Sequence, residues 1–222
     1  SDSRFVRFVD FFTSDQTGWP EGFLVMDFLP GMPGNSLRDR LHNKEERQGL
    51  PFEEVIRAFL RFSEGLAIMH RTKVYHRDIK PSNLYLPQGH PENACIMDLG
   101  IARDARGSLT QGQVPGTLDY MPPEVAFGDS RGDAGMDIYA LGLCLYEALT
   151  GKTALPRLPP GDAAVPAFLK RAKEKQLPVF DHPVVRANLG LYGLLVRMTD
   201  PEIARREQDA ERAAVAFKAL LP

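Results

Sequence analysis

Residues 76–83 read His-Arg-Asp-Ile-Lys-Pro-Ser-Asn, and the interpretation of the whole chain starts from this stretch. It contains a carboxylate at Asp78, a cation at Lys80 and an amide at Asn83. Phosphoryl transfer uses these three kinds of group, because the attacking hydroxyl, the phosphates and a magnesium ion each need a partner. An isolated Asp and Asn would instead indicate a turn, so the surrounding sequence has to support the chemical interpretation.

The stretch resembles the catalytic loop H-R-D-L-x-x-x-N of eukaryotic-type Ser/Thr protein kinases, with Ile79 in place of Leu. The sequence is more similar in style to bacterial members of this family than to animal ones. The resemblance implies that Asp78 is the catalytic base. It also implies that Lys80 steadies the γ-phosphate of ATP and that Asn83 binds Mg²⁺. His76 is expected to be structural, packed in the hydrophobic spine of the family.

A second motif follows the strand-like residues 94–97. Asp98-Leu99-Gly100 stands where the family carries D-F-G, with Leu99 in place of Phe. The resemblance implies that Asp98 is the main Mg²⁺ ligand at the ATP site and that Leu99 packs beside His76. A lone Asp-x-Gly would indicate only a turn, so the motif depends on its order after the catalytic loop.

Residues 116–124 form a third motif, Gly-Thr-Leu-Asp-Tyr-Met-Pro-Pro-Glu. They resemble the family's G-T-x-x-Y-M-A-P-E with Pro122 in place of Ala, so the resemblance implies an activation segment over 98–124. In Ser/Thr kinases the Thr at the place of Thr117 hydrogen-bonds to the catalytic Asp and Lys. Lys80 together with Thr117 therefore favours Ser or Thr over Tyr as the phosphate acceptor, as the resemblance implies.

Regulation by phosphorylation is implied for the same segment. Ser108 and Thr110 lie in its middle, and Arg77 is the residue that pairs with an activation-loop phosphate in this family. The alternative is that both hydroxyls are merely solvated loop residues, and the sequence leaves the two interpretations open.

Three further residues are expected to support the site. Asp137 stands at the start of a central buried helix, where the family's Asp holds the backbone of the catalytic loop. Asp200-Pro201 with Arg206 approximates the D-P-x-x-R motif, and Arg206 is expected to form a buried ion pair with Glu124. One extra residue in this motif makes Arg205 a rival for that pairing.

The start of the chain resembles the hinge that binds adenine. The resemblance places Met26 at the gatekeeper position, the Asp27 carbonyl and the Leu29 amide against adenine, and Tyr85 on the floor of the pocket. The ribose contact is left open, as is the residue that caps a short helix ending near His42: Asn35 and Ser36 are both candidates.

The resemblance covers essentially the whole chain and implies an α+β, protein-kinase-like fold. Residues 1–29 would be a truncated antiparallel remnant of the N-terminal lobe, and 30–222 a mostly helical C-terminal lobe. Runs of β-branched and aromatic residues predict antiparallel strands at 4–12 and 22–28.

Apolar periodicity predicts five longer helices in the C-terminal lobe. The first follows Pro51 and carries a buried stripe of Val55, Phe59, Phe62, Leu66 and Met69. The others are predicted near 136–150, 162–175, 184–199 and 208–220.

The 222 residues contain no G-x-G-x-x-G-x-V loop and no V-A-I-K-type lysine. The expectation is therefore a truncated chain that binds ATP weakly and turns over slowly. Apolar residues near the N-terminus, among them Phe5 and Phe8, would lose the elements on which they pack. This predicts dimerisation or strand swapping through the exposed remnant, or disorder at the N-terminus.

Composition indicates an ordinary globular protein, with 43% hydrophobic and 25% charged residues. A net charge of −2 and a pI near 6.2 argue against nucleic acid as a partner. No apolar run approaches the roughly 20 residues of a membrane span. Cys95 and Cys144 lie in apolar runs that suit free thiols, so the cytoplasm is the expected location.

Two other functions compete with that of an active kinase acting on protein substrates. A non-catalytic, kinase-like scaffold or pseudokinase would explain the missing glycine loop, although intact Asp78, Asn83 and Asp98 argue against it. A small-molecule phosphotransferase of the aminoglycoside-kinase type shares an Asp-x-x-x-x-Asn loop. Lys80 and residues 116–124 weigh against that class, which lacks a peptide-docking segment.

Overall fold

The computed structural model describes residues 8–14, 21–26, 34–42, 48–98, 118–128 and 134–222, with the backbone alone in the first two ranges. Helices predominate, and the strands form two separate two-stranded sheets within these residues. The α+β class and the mostly helical C-terminal body are confirmed.

The N-terminal sheet is an antiparallel pair, as predicted. Strand β1 (Phe8–Ser14) pairs with β2 (Glu21–Met26), and the register is irregular between Phe8 and Asp10. β1 continues to Ser14, past the predicted end at 12, because Thr13 and Ser14 still pair with β2. Residues 4–7, 27 and 28 of the predicted strands lie outside the described ranges.

Helix α1 (Leu37–His42) begins after Ser36, which resolves the choice between two candidate caps. The Ser36 hydroxyl oxygen accepts the Asp39 backbone N–H at 3.1 Å and donates to the Asp39 carboxylate at 2.6 Å. This reciprocal arrangement satisfies an N–H that the first helical turn cannot pair internally.

Helix α2 (Phe52–Arg71) carries the predicted apolar stripe, and all five of its named residues are buried. Pro51 precedes the helix in extended conformation instead of occupying its first turn. The stripe packs on helix α7 (Ala210–Lys218), where the Phe59 and Phe217 rings lie 6.2 Å apart. Burial of each such side chain contributes about 1.5–3 kcal/mol.

Helix α3 (Ala134–Thr150) lies at the centre of the core and is buried on almost every side. It packs on α2 and on helix α6 (Leu189–Met198). A helix that is apolar around its whole circumference can be stable only when other elements surround it. The two charged residues that it nevertheless buries, Asp137 and Glu147, therefore need partners.

The last third of the chain differs from its prediction in one place. The helix expected at 184–199 is two helices, α5 (Pro183–Arg186) and α6, separated at Asn188. The Asn188 side chain accepts the Leu191 N–H at 3.0 Å and so starts a new helix.

Helix α4 (Ala164–Lys173) packs on a 3₁₀ turn at Pro123–Phe127.

A short antiparallel pair joins the catalytic-loop motif to the residues before Asp98. β3 (Leu84–Tyr85) pairs with β4 (Cys95–Ile96), and Ser36 forms a bridge to Tyr85. Asn83 therefore lies directly before β3, and Met97 lies directly after β4.

Candidate active site

The loop between α2 and β3 holds three polar side chains against one another. Lys80 Nζ lies 2.9 Å from Asp78 Oδ2, and Asn83 Nδ2 lies 3.3 Å from the same oxygen. Asn83 Nδ2 also donates to the Asp78 backbone carbonyl at 2.8 Å. Asp78 and Asn83 are buried, so the loop presents an oriented carboxylate with a cation beside it.

His76 links this loop to the strand that leads to Asp98. Its Nε2 lies 2.9 Å from the Met97 carbonyl oxygen, and its Nδ1 lies 3.3 Å from the Asp78 backbone nitrogen. A carbonyl can only accept and an N–H can only donate, so in this geometry Nε2 faces an acceptor and Nδ1 faces a donor. His76 is thereby a hydrogen-bonded connector and is not placed to exchange protons with a substrate.

Asp137 holds the backbone of the loop from the first turn of α3. Its Oδ2 accepts the His76 N–H at 2.9 Å, and its Oδ1 accepts the Arg77 N–H at 2.7 Å. His70 Nε2 lies 2.9 Å from Oδ2 as a third donor. Asp137 is only 1% exposed, so these three donors replace the water that its charge has lost.

Two residues of the site have left-handed backbone conformations. Arg77 has φ of 63° and Asp98 has φ of 55°. This region is unfavourable for residues other than glycine and is maintained only where the surroundings require it. For Arg77, the bond from its N–H to Asp137 provides that requirement.

Asp98 and Asn83 lie on adjoining segments. The Met97 N–H donates to the Asn83 carbonyl at 2.8 Å, and exposed Asp98 follows Met97 directly. Nδ2 of Asn83 is bonded to Asp78, and its amide oxygen accepts from the Ser82 hydroxyl at 3.4 Å and keeps a second lone pair for a ligand. A carboxylate and an amide oxygen are hard donors that fit Mg²⁺.

No group of three or more His, Cys, Asp or Glu residues is placed to hold a metal ion in the part of the chain that the structure describes. At phosphoryl-transfer sites in general, Mg²⁺ is bound by one or two protein carboxylates together with the phosphates of the substrate. Tyr85, expected on the floor of the nucleotide pocket, is buried with Cys95 and Met97 in a small apolar cluster that adjoins Asn83.

Glu124 and Arg206 form the expected ion pair. Arg206 Nη1 and Nη2 lie 2.6 and 2.8 Å from the two carboxylate oxygens of Glu124. Arg206 also donates to the carbonyls of Asp200 and Gly135, and its guanidinium lies 4.9 Å from the centre of the Tyr139 ring. Arg205, the rival, is exposed.

A small pocket lies between the loop at 77–79 and the residues that follow the 3₁₀ turn at Leu118–Tyr120. It is lined by Arg77, Asp78 and Ile79 of the loop, by Tyr120–Pro122 and by residues of α3. Met121 and Pro122 thus form a wall of the pocket that contains Asp78.

Six residues expected at the site lie outside the described ranges: Asp27, Leu29, Leu99, Ser108, Thr110 and Thr117. Met26 is the last residue of β2, and only its backbone is described.

Two features of the site were missed in the sequence. His70 lies in the last turn of α2, and nothing in the sequence around it signals its bond to Asp137. Glu147 did carry a signal, since it is a carboxylate among the apolar residues of α3 and so needed a partner. Its partners are Tyr120 and Arg157.

None of the helices in the described ranges combines the length and apolar character needed to cross a bilayer.

In a comparison with protein families, residues 2–174 match the family described as "Protein kinase domain". Among curated proteins, the chain is 31% identical over 226 aligned positions to serine/threonine-protein kinase pkn2 of Myxococcus xanthus, and 34% identical over 163 to serine/threonine-protein kinase PknB of Mycobacterium tuberculosis. These matches cover 96% and 72% of this chain. The chain spans about a quarter of the length of either relative, 25% and 24%.

Among solved structures, the chain is similar to a crystal structure of Rad53 residues 1–466 in complex with AMP-PNP. The TM-score is 0.69 with 18% sequence identity, and the match covers 96% of this chain and 50% of that one. At this identity the likeness shows the fold alone.

Proposed function

The chain belongs to the protein kinase domain family, and on that premise we propose that it is part of a Ser/Thr protein kinase. The reaction would transfer the γ-phosphate of ATP to Ser or Thr hydroxyls of proteins. One observation carries the proposal: Lys80 and Asn83 both contact the same carboxylate oxygen of Asp78 in a buried loop. The names of the two bacterial relatives agree with the Ser/Thr class.

In the proposed reaction, the substrate hydroxyl oxygen forms a bond to the γ-phosphorus while the bond from that phosphorus to the β–γ bridging oxygen breaks. ADP leaves, and the hydroxyl proton passes to the Asp78 carboxylate. Lys80 stabilises the negative charge on the transferred phosphoryl group and keeps Asp78 oriented. Thr117 would complete this contact to Asp78 and Lys80.

Asn83 and Asp98 would hold Mg²⁺, and the residues around Tyr85 would receive the adenine. The ion, when bound, neutralises charge on the β- and γ-phosphate oxygens. The adenine contacts proposed for the hinge are the Asp27 carbonyl and the Leu29 amide, with Met26 as gatekeeper. This assignment divides the protein into 1–29, with two strands and the hinge, and 30–222, with the activation segment at 98–124.

Regulation is proposed to act on the same loop. Arg77 adjoins Asp78, and within the described residues its Nε is buried without a hydrogen-bond partner. A phosphate on Ser108 or Thr110 would offer this guanidinium charge-assisted bonds.

Further proposals concern the surroundings of the protein. Cys95 and Cys144 are free and buried, which supports the cytoplasm as the location.

Among the described strands, β1 and β2 pair only with each other, and a lone two-stranded pair is marginally stable. We therefore propose that their edges pair with a further strand, from this protein or a second copy. Analytical ultracentrifugation would detect the dimer that pairing with a strand of a second copy produces.

The proposed function is tested first by titration calorimetry with ATP and Mg²⁺. The 222-residue chain and the full-length product of its gene would each be measured beside an Asp98→Asn variant. We expect tight, magnesium-dependent binding only in a protein that contains a glycine loop and its lysine, and only with Asp98. The 222-residue chain alone should bind weakly, because it lacks the glycine loop and the lysine that hold the phosphates.

A second assay follows phosphorylation of an arrayed library of Ser- and Thr-containing peptides by the binding-competent protein. Asp78→Asn should lower the rate by about 10²-fold or more, while the exposed Asp162→Asn should leave it unchanged. A non-catalytic scaffold is the second candidate, favoured by the missing glycine loop. Binding that is absent or independent of Mg²⁺ in both proteins, with no phosphorylated peptide, would establish it instead.

A further inference from the structure

Two carboxylates and a tyrosine meet beside the pocket that adjoins Asp78. Glu147 on α3 is 7% exposed, and its Oε2 accepts the Tyr120 hydroxyl at 2.6 Å. Asp119 precedes Tyr120 in a 3₁₀ turn at Leu118–Tyr120. Burial, and secondarily the nearby Glu147, raise the pKa of Tyr120 far above its ordinary range, so its hydroxyl keeps its proton and remains a donor.

Arg157 joins these groups from the loop that follows α3. Its Nη2 donates to Glu147 Oε1 at 2.6 Å, while its Nη1 lies 3.4 Å from the Tyr120 hydroxyl and 3.5 Å from Asp119 Oδ2. The next residue, Leu158, donates its backbone N–H to Asp119 Oδ1 at 2.8 Å. The Arg157 guanidinium thus links the turn to α3, and the Leu158 amide bonds the turn to the loop after α3.

The turn fastened in this way continues into Met121 and Pro122. These two residues line the pocket that also contains Arg77, Asp78 and Ile79. A polypeptide whose hydroxyl reaches Asp78 has to place its neighbouring residues along this wall. The position of the turn therefore affects how a protein substrate binds, whereas the residues proposed for ATP, such as Asn83 and Asp98, lie on the other segments of the site.

We propose that Arg157 is a positioning residue for the protein substrate, acting through Glu147, Tyr120 and Asp119 on the wall formed by Met121 and Pro122. The inference rests on the proposed kinase function and specifies which substrate the residue serves. Arg157 belongs to none of the motifs recognised in the sequence.

The chemistry of the cluster explains why an arginine is needed. Without its guanidinium, Glu147 would be a nearly buried carboxylate held by the Tyr120 hydroxyl, and the turn would lose its charged link to α3. Asp119 would keep a second cation, since Arg171 Nη2 lies 4.0 Å from its Oδ1. A guanidinium presents donors in a planar fork, so it can bond to Glu147 and face Tyr120 and Asp119 together. A lysine has one compact charge and can replace only part of this arrangement.

The test compares steady-state kinetics of Arg157→Ala and Arg157→Lys in the binding-competent protein, using the best peptide from the library and ATP. For Arg157→Ala we expect the KM for the peptide to rise about three- to tenfold and the KM for ATP to stay within about twofold. Arg157→Lys should recover part of the loss. Arg212→Ala is the matched control, because it removes an arginine with a 77% exposed side chain on α7 and should change neither constant.

An unchanged peptide KM in Arg157→Ala, or an equal rise in the KM for ATP, would overturn the inference. Amide hydrogen exchange gives a readout that needs no catalysis. Loss of Arg157 should speed exchange of the Leu158 amide and of the amides of residues 118–121, and leave the amides of α3 protected. If the wild-type protein phosphorylates no peptide, the proposed function fails, while unaltered exchange at these amides would overturn the role of Arg157 by itself.

Discussion

Arg206 and Glu124 form a bidentate ion pair, with Nη1 and Nη2 at 2.6 and 2.8 Å from the two carboxylate oxygens. The Arg206 side chain is 0% exposed and that of Glu124 is 8% exposed. The pair joins the 3₁₀ turn at Pro123–Phe127 to the loop between α6 and α7. Its removal should therefore affect both the stability of the fold and the position of this turn.

Replacing Arg206 with Met is expected to lower the free energy of unfolding by about 3–5 kcal/mol, because it leaves Glu124 as an uncompensated buried charge. Urea denaturation measures this difference. Arg205→Met is the matched control and should change stability by less than about 0.5 kcal/mol, because Arg205 is exposed. Similar losses in the two variants would contradict the assignment of the pair.

Replacing Asp137 with Asn should lower both stability and kcat. Asn offers one oxygen, so one of the N–H groups of His76 and Arg77 would face an NH₂ donor in place of an acceptor. The buried, unpaired N–H costs about 1–3 kcal/mol in the free energy of unfolding. It also releases the strained backbone at Arg77, next to Asp78.

Chemical denaturation together with peptide phosphorylation would test the Asp137 prediction. The exposed Asp162→Asn serves as the control. Wild-type stability and turnover in Asp137→Asn would show that the carboxylate does not hold the loop.

Stability should decline in alkaline solution. Burial raises the pKa of Cys95 from 9.0 to about 11, and burial raises the pKa of Tyr139 from 10.0 to about 12. A group whose pKa is higher in the folded state stabilises the fold fully below its unfolded pKa, and this contribution is lost as the pH rises through the folded pKa. The loss should begin near pH 9 and continue to about pH 12.

Urea unfolding at pH 8 and pH 10.5 would detect this alkaline loss. A free energy of unfolding that stays constant over the interval would contradict the burial of these groups. Thiol labelling is a parallel measurement: both cysteines should resist alkylation at pH 8 in the folded protein and react in denaturant.

Two glycine substitutions should have opposite signs. A Cβ on Gly49 would lie 1.8 Å from the carbonyl oxygen of Leu149, so Gly49→Ala should destabilise the fold by about 1–3 kcal/mol or more. A Cβ on Gly193 in α6 would meet only the end of the Arg197 side chain at 3.4 Å. Gly193→Ala should therefore stabilise the helix by up to about 1 kcal/mol.

Thermal unfolding of Gly49→Ala and Gly193→Ala, measured side by side, would test both predictions. Equal shifts in Tm would mean that α3 does not approach Gly49 as the structure shows.

Groups that lie within one short segment could be predicted from the sequence. Asp78, Lys80 and Asn83 are joined by so few bonds that the loop itself brings them together. The cluster around Glu147 could not be predicted, because its members come from a turn, a helix and a later loop that meet only after packing. A carboxylate in an apolar helix shows that a partner is needed, without showing that the partner is Arg157.

The sequence by itself determined the kinase resemblance, the order of strands and helices, and the buried face of α2, because these depend on local hydrogen bonding and on the period of apolar residues. Only the tertiary structure decided between neighbours: Arg206 over Arg205 at Glu124, Ser36 over Asn35 as the cap of α1, and the break at Asn188. Adjacent residues share the same local preferences but point in different directions. The choice between them is therefore made by distant segments that pack against one and not the other.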